Sequence, residues 1–216
     1  NALAAIPSVW FVADELAAGL AKLADVFGKV FACVTPGNHG RTTAKMPSKE
    51  TANLSYDTAV GEALRRHFIN DDRVTIAVSP SRDALYSVFG WNILQTHHDQ
   101  GGGGGQGWAG PLLPVMRKGK QIEWTAAQRG VTYDIILTAH HHVSGKVGKI
   151  LANGSVVGYN EYASSIRAAP ELPQQWLCLL HETWALREMA EIKLETGRPA
   201  KKPHIVLHHA GNPISN

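Results

Sequence analysis

Short apolar runs that end in histidine-containing segments are the dominant pattern of this chain. The first run, Val30-Phe31-Ala32-Cys33-Val34, has the length and the β-branched and aromatic content of a buried parallel strand. It leads into Thr35-Pro36-Gly37-Asn38-His39-Gly40-Arg41, where proline and glycine end the strand. Two further apolar runs lead in the same way into His97-His98-Asp99 and His140-His141-His142. The pattern predicts three strand ends that each present potential metal ligands at the edge of a sheet where ligands bind.

Helical and extended patterns alternate along the chain, which predicts an α/β fold. Residues 14–27 are spaced as an amphipathic helix, with Gly28 as its C-cap and with a buried face formed by Leu16, Leu20, Leu23 and Phe27. Further helices are predicted over 56–68 and before Gly130. Strands are predicted over 74–78, 85–89, 92–96, 133–138, 149–152, 156–157, 176–181 and 184–194. The first three of these strands are expected to form a meander.

Five consecutive glycines, Gly101–Gly105, interrupt the middle of the chain. A flexible linker between domains is one interpretation. A mobile loop beside the site is favoured, because strand and helix patterns continue afterwards without a change in composition and because glycine lets the backbone approach a ligand. The segment does not end in the Lys-Ser/Thr pair of a P-loop, so the pattern does not favour a nucleotide cradle.

Composition narrows the class of protein without defining its function. The chain has 216 residues and 44% apolar residues, as expected for one globular domain. We expect that domain over residues 1–195, with a basic tail over 196–216. The formal charge of +3 does not by itself imply nucleic acid, and no apolar run approaches a membrane span. Cys33 and Cys178 fall in predicted strands as buried thiols, which suits a reducing cytoplasm.

The histidine segments supply a coherent set of metal ligands. Neutral imidazole and the amide oxygen of asparagine form a mixed N/O set that suits Mn²⁺, Fe or Zn²⁺ better than a thiolate-binding metal. The candidate ligands are Asn38, His97, His140 and His142. Taken singly, His97 or His140 would more often be a packed core residue, and three consecutive histidines can also trap metal fortuitously. We expect His98 and His141 to have no role in metal binding, with contact to substrate as the alternative.

These motifs resemble the calcineurin-like metallophosphoesterase superfamily. The resemblance rests on Gly37-Asn38-His39, then Thr96-His97, then His140-x-His142, in the order of the last three motifs of that superfamily. With the segment Asn153–Ala163, the pattern is similar to its phage and bacterial, DNA-repair-exonuclease-like branch. The resemblance extends from about residue 16 to 181.

The resemblance implies a four-layer α/β/β/α sandwich with two divalent metal ions, for which we expect Mn²⁺, with Fe or Zn²⁺ as alternatives. One ion would be held by Asn38, His97 and His140, and the second by His142. His39 would lie over the scissile phosphate, and Arg41 would bind substrate. The implied reaction is hydrolysis of phosphodiesters, DNA among them, or phosphomonoesters by a metal-activated hydroxide.

The Asp-x-His and Gly-Asp-x-x-Asp motifs of that superfamily are not found in the sequence, and Ala139 and His98 stand where glycine is usual. We therefore expect the N-terminal strands to lie upstream of Asn1. An open strand edge would then invite pairing with another chain. Two hypotheses follow: a metal-dependent phosphoesterase, or a catalytically inactive protein of the same fold kept for binding or assembly. A mononuclear structural metal site is a third interpretation.

Overall fold

The structure is a computed structural model that describes residues 4–99 except 46 and 48, residues 112–159 and 171–194, and residues 161, 164, 208, 209, 212 and 213. Its helices are α1 (Ala5–Phe27), α2 (Tyr56–His67) and α3 (Leu112–Ala127). Its strands are β1 (Val30–Val34), β2 (Val74–Val78), β3 (Asp83–Val88), β4 (Trp91–Thr96), β5 (Ile135–Thr138), β6 (Gly145–Val147), β7 (Ile150–Ala152), β8 (Gln174–His181), β9 (Ala185–Lys193), β10 (His208–His209) and β11 (Asn212–Pro213). The chain is a mixed α/β protein, as predicted.

The largest sheet has five strands in the order β3-β4-β5-β7-β6. Its centre, β4-β5-β7, is parallel, and both edge strands pair in the antiparallel sense. Strands β1 and β2 form a separate parallel pair, so the predicted meander was wrong in part: β2 pairs with β1 and not with β3. Strands β8 and β9 form an antiparallel hairpin. Residues 156–157, predicted as a strand, form a bend, and Gly101–Gly105 lie outside the described residues.

Helices α1 and α2 cover one face of the β1–β2 pair. Their shared core contains Leu64, Phe68, Val74 and Ile76. Helix α2 is well specified by its ends: Ser55 Oγ caps it by accepting the Asp57 N–H, and basic residues occupy its last turn. Both features complement the helix dipole.

Helix α1 buries the predicted face only in part: Leu20 packs against the core, whereas Leu16, Leu23 and Phe27 are exposed. The helix and its Gly28 C-cap are confirmed, but the helix starts nine residues earlier, at Ala5. Its buried residues are Val9, Ala13, Ala17 and Ala24, whereas Phe27 is 72% exposed. Helix α1 packs against α2, and small side chains let two helices approach closely. Alanine is only weakly hydrophobic, so the spacing of the leucines, and not that of the buried alanines, determined which face was predicted to be buried.

One face of the five-stranded sheet packs against α3. Val115 of α3 and Ile136 of β5 are almost fully buried, together with Ile150 of β7. The opposite face of the sheet lies against β1, because the ring centroids of Phe31 on β1 and Tyr86 on β3 are 5.4 Å apart. The contacts therefore give the order helices α1 and α2, the β1–β2 pair, the five-stranded sheet, and helix α3. Within the described chain, no helix has the length and apolar character needed to cross a membrane.

Three strand ends meet at one edge of this arrangement. Thr96 and Thr138, the last residues of β4 and β5, lie opposite each other in the parallel register. The end of β1 is tied to β4 because Gln95 Nε2 donates to the Cys33 carbonyl oxygen at 3.1 Å and to Thr35 Oγ1 at 3.2 Å. The segments that follow these strands contain the predicted ligands.

Candidate metal centre

The loop Gly37–Gly40 follows β1 and wraps around the start of α2. The Gly37 N–H donates to Asp57 Oδ2 at 2.7 Å, and the Tyr56 N–H donates to the Gly40 carbonyl oxygen at 2.6 Å. Both ends of the loop are thus fixed by the first residues of one helix. Asn38 and His39 lie between these two anchors.

Asn38, His97 and His140 come together, and we call them the inner group. Asn38 Oδ1 and His97 Nε2 are 2.7 Å apart, in hydrogen-bond contact. The His97 and His140 rings are edge-to-face with centroids 5.1 Å apart. Each residue follows a different strand, as the sequence predicted.

Burial keeps the imidazoles of the inner group neutral. It lowers the pKa of His97, against the opposing charges of Asp99 and Asp57. Burial and the neighbouring His97 ring lower the pKa of His140 to about 4. Neutral imidazole is the metal-binding form, so at pH 7 these rings do not have to lose a proton to bind a metal.

His39 and His142 form a second, looser arrangement, which we call the outer pair. Their ring centroids are 6.5 Å apart, and His39 is exposed. Burial lowers the pKa of His142, and the charge of His39 acts in the same direction. His140 and His142 are therefore divided between the inner group and the outer pair.

His98 and His141 adjoin the inner group, which the sequence did not predict. Their rings are 5.5 Å apart, and the His141 ring is also 5.2 Å from that of His140. His98 is only 2% exposed, and neither of its ring nitrogens has a hydrogen-bond partner among the described residues. Burial lowers its pKa to about 3. The one sequence signal was a bulky residue where the resembled motif has glycine.

Three of the six described non-glycine residues with positive φ are histidines of this region. His98, His140 and His142 have φ values of 73°, 71° and 53°, in the left-handed region that non-glycine residues rarely adopt. Such strain persists only where the surroundings hold it and is often found at functional sites.

Donor chemistry fits one metal ion better than two. In the part of the chain that the structure describes, no cluster of three or more His, Cys, Asp or Glu side chains is arranged to hold a metal ion. The inner group combines two imidazoles with an amide oxygen, a set that suits a divalent transition metal. For a second ion, the outer pair adds His142 but no bridging carboxylate. The described residues therefore offer donors for one ion at most, and they supply no donor set for the second ion expected from the resemblance.

Arg41, the predicted substrate-binding residue, leaves the loop directly after Gly40. It forms an isolated antiparallel bridge with Ser55 and is half-buried. The structure therefore places Arg41 on the same anchored segment as Asn38 and His39.

No protein-family model matches the sequence, and no curated protein matches it. Among solved structures, the chain is similar to a double mutant of Vps29 from Entamoeba histolytica. The identity is 16%, the similarity covers 78% of this chain and 85% of that one, and the TM-score is 0.37. A likeness this distant supports no conclusion about function.

Proposed function

We propose that this chain is a metallophosphoesterase-type protein that binds a divalent metal ion at the inner group and hydrolyses phosphate esters there. The observation that supports this proposal is the meeting of Asn38, His97 and His140 from three separate strand ends. The order of helices, sheet, sheet and helix agrees with the four-layer α/β/β/α sandwich that the motif resemblance implies.

The metal is expected to be Mn²⁺, with Fe or Zn²⁺ as alternatives, because one amide oxygen and two neutral nitrogens form a mixed donor set. A divalent ion in this position would supply a positive charge that polarises a phosphoryl oxygen. His97 and His140 are kept neutral by burial and are ready to bind it. The second ion expected from the resemblance would need ligands beyond the described residues.

His39 and Arg41 would act on the substrate. His39 shares its loop with Asn38, so the contacts that place the ligand also place this exposed imidazole. Such a group can protonate the leaving oxygen of a phosphate ester or stabilise its charge. The Arg41 guanidinium would bind the phosphate by charge-assisted hydrogen bonds. Phosphodiesters, with DNA among them, are the favoured substrate class.

A binding protein without catalysis is the second candidate. It is favoured by the incomplete donor set of the outer pair, because two-metal hydrolysis needs a clamp on both the attacking and the leaving oxygen. In this alternative the inner group still binds metal and the outer pair still contacts a phosphate group, but the phosphate ester is not hydrolysed.

One experiment separates these alternatives. Mn²⁺ is titrated into chelator-treated protein by calorimetry, and hydrolysis of bis(p-nitrophenyl) phosphate is then measured with Mn²⁺ present. We expect His97→Ala and His140→Ala to weaken metal binding by more than about 100-fold and to abolish turnover. His181→Ala, which changes a histidine on β8, should alter neither. Metal binding without turnover would support the binding protein. Absence of metal binding in the wild-type chain would contradict both.

A further inference from the structure

We propose that Asp57 is the positioning residue of this centre: its carboxylate fixes the Gly37–Gly40 loop and thereby sets the places of Asn38 and His39. The sequence pattern gave Asp57 no role. The inference deepens the proposed function and rests on it for one of its two measurements.

The Asp57 carboxylate accepts hydrogen bonds from the loop and from the residue that caps α2. Oδ2 accepts the Gly37 N–H at 2.7 Å and the Ser55 hydroxyl at 3.2 Å. The Asp57 N–H donates back to Ser55 Oγ at 3.1 Å, which closes a local network at the start of α2. A carboxylate is also favoured there by the helix dipole. The group therefore has one orientation, and that orientation points at the loop.

Gly40 packs directly on the same carboxylate. A Cβ atom added at Gly40 would lie 2.3 Å from Asp57 Oδ1 and 2.4 Å from Oδ2, far inside van der Waals contact. Only glycine admits this approach. The Gly40 carbonyl oxygen accepts the Tyr56 N–H at 2.6 Å, so the two glycines that frame Asn38 and His39 both rest on the first turn of α2.

Gly37 connects the carboxylate to the inner group. A Cβ atom added at Gly37 would lie 3.2 Å from His97 Cε1 and 3.4 Å from Asp57 Oδ2. The Gly37 backbone is thus packed between the His97 ring and the carboxylate that binds its N–H. A shift of this backbone would change the contact between Asn38 Oδ1 and His97 Nε2, which is the core of the inner group.

The test compares Asp57→Ala and Asp57→Asn with Glu62→Ala, a control on the same helix where Glu62 forms a surface ion pair with Arg65. In metal-free protein, amide hydrogen exchange of Gly37 is measured by NMR. In the same variants, Mn²⁺ affinity is measured by calorimetry. We expect Asp57→Ala to speed Gly37 exchange by about 10-fold or more and to weaken Mn²⁺ binding by about 10- to 100-fold, as for other residues that orient metal ligands. Asp57→Asn keeps an oxygen acceptor of the same shape and should restore most of both losses.

A second variant acts from the loop side. Gly40→Ala keeps the Asp57 side chain but forces a Cβ atom against its carboxylate, so the loop and the carboxylate must move apart, and the variant should reproduce the loss of Mn²⁺ affinity. Asp57→Ala behaving like Glu62→Ala in both measurements would reduce Asp57 to a helix-terminal charge and overturn the inference. If Asp57→Asn lost as much Mn²⁺ affinity as Asp57→Ala, the inference would also be overturned, and a direct effect of the carboxylate charge would explain the loss. If the wild-type chain binds no Mn²⁺, the proposed function fails, and Gly37 exchange alone then decides whether Asp57 positions the loop.

Discussion

The inner group and the outer pair differ in how firmly the fold holds them. Asn38 and His97 of the inner group are in hydrogen-bond contact, and His140 packs edge-on against His97. The rings of the outer pair, His39 and His142, are 6.5 Å apart, and His39 is exposed. The two sets are neighbours in sequence, so the difference does not come from different loops.

Among the histidines, the difference follows the number of residues from the strand end, whereas Asn38, four residues after β1, is placed by the contacts of Gly37 and Gly40 with the start of α2. His97 and His140 follow Thr96 and Thr138 by one and two residues, and these threonines are in register in the sheet. His142 is two residues further from the strand than His140, and both have positive φ values. Metal binding requires fixed donors, whereas proton transfer to a substrate tolerates a side chain that closes only when substrate is present. The inner group therefore suits metal binding, and the outer pair suits contact with the substrate.

The largest expected effect is on metal affinity. We predict that His97→Ala or His140→Ala weakens Mn²⁺ binding by more than about 100-fold, or ~3 kcal/mol, because each removes one of three donors. His142→Ala should change the affinity by less than about 3-fold. Calorimetry on chelator-treated protein measures both. Equal losses from His140→Ala and His142→Ala would erase the distinction between the two sets.

Acid should destabilise the folded chain through His98, which is buried beside the inner group. Burial holds the pKa of His98 at about 3, whereas an unfolded histidine titrates near 6.5. Between these values the unfolded chain binds a proton that the folded chain does not, so stability is full above pH 6.5 and is lost as the pH falls.

We therefore predict that the free energy of unfolding falls by about 3 kcal/mol between pH 6.5 and pH 4 from His98 alone. Urea denaturation in the presence of chelator measures the fall. His98→Asn should reduce it, because asparagine tolerates positive φ and does not titrate. His181→Asn, a histidine stacked on the exposed Trp184, should retain the wild-type fall. A flat profile in the wild type would mean that His98 is not buried as described.

The outer pair should affect turnover and leave metal binding intact. We predict that His39→Ala lowers kcat for bis(p-nitrophenyl) phosphate by about 100-fold, the usual scale for losing a general acid. Its Mn²⁺ affinity should stay within about 3-fold of wild type, because His39 is not a donor of the inner group. Parallel loss of metal affinity would instead place His39 among the ligands.

Local sequence patterns predicted the parts of the fold whose boundaries are marked by local chemistry. Strand β1 matches its prediction at both ends, since Gly28 precedes it and Pro36 follows it. Helix α2 matches to within one residue. The inner group could be anticipated because strand ends that share an edge bring their following residues together.

Features that depend on pairing across the chain were not predictable in the same way. Strand β2 pairs in parallel with β1 after the crossover through α2, a pairing that the residues of β2 alone do not indicate. The buried face of α1 is set by close approach to α2, which favours alanine over leucine. Asp57 lies on a predicted helix, and only the folded loop shows that its carboxylate contacts Gly37 and Gly40.

The smallest expected effect concerns Arg41, which tests whether substrate is bound on the side of the outer pair. Arg41→Ala should raise KM for a phosphodiester by about 5-fold at low salt, with little change in kcat, because a partly exposed charge contributes about 1 kcal/mol. The difference from wild type should shrink as salt is added, since screening weakens the contact. Arg66→Ala removes an equal charge from the exposed last turn of α2 and serves as the control. Equal effects from the two variants would show that substrate responds to net charge alone, and Arg41 would then have no specific place beside His39.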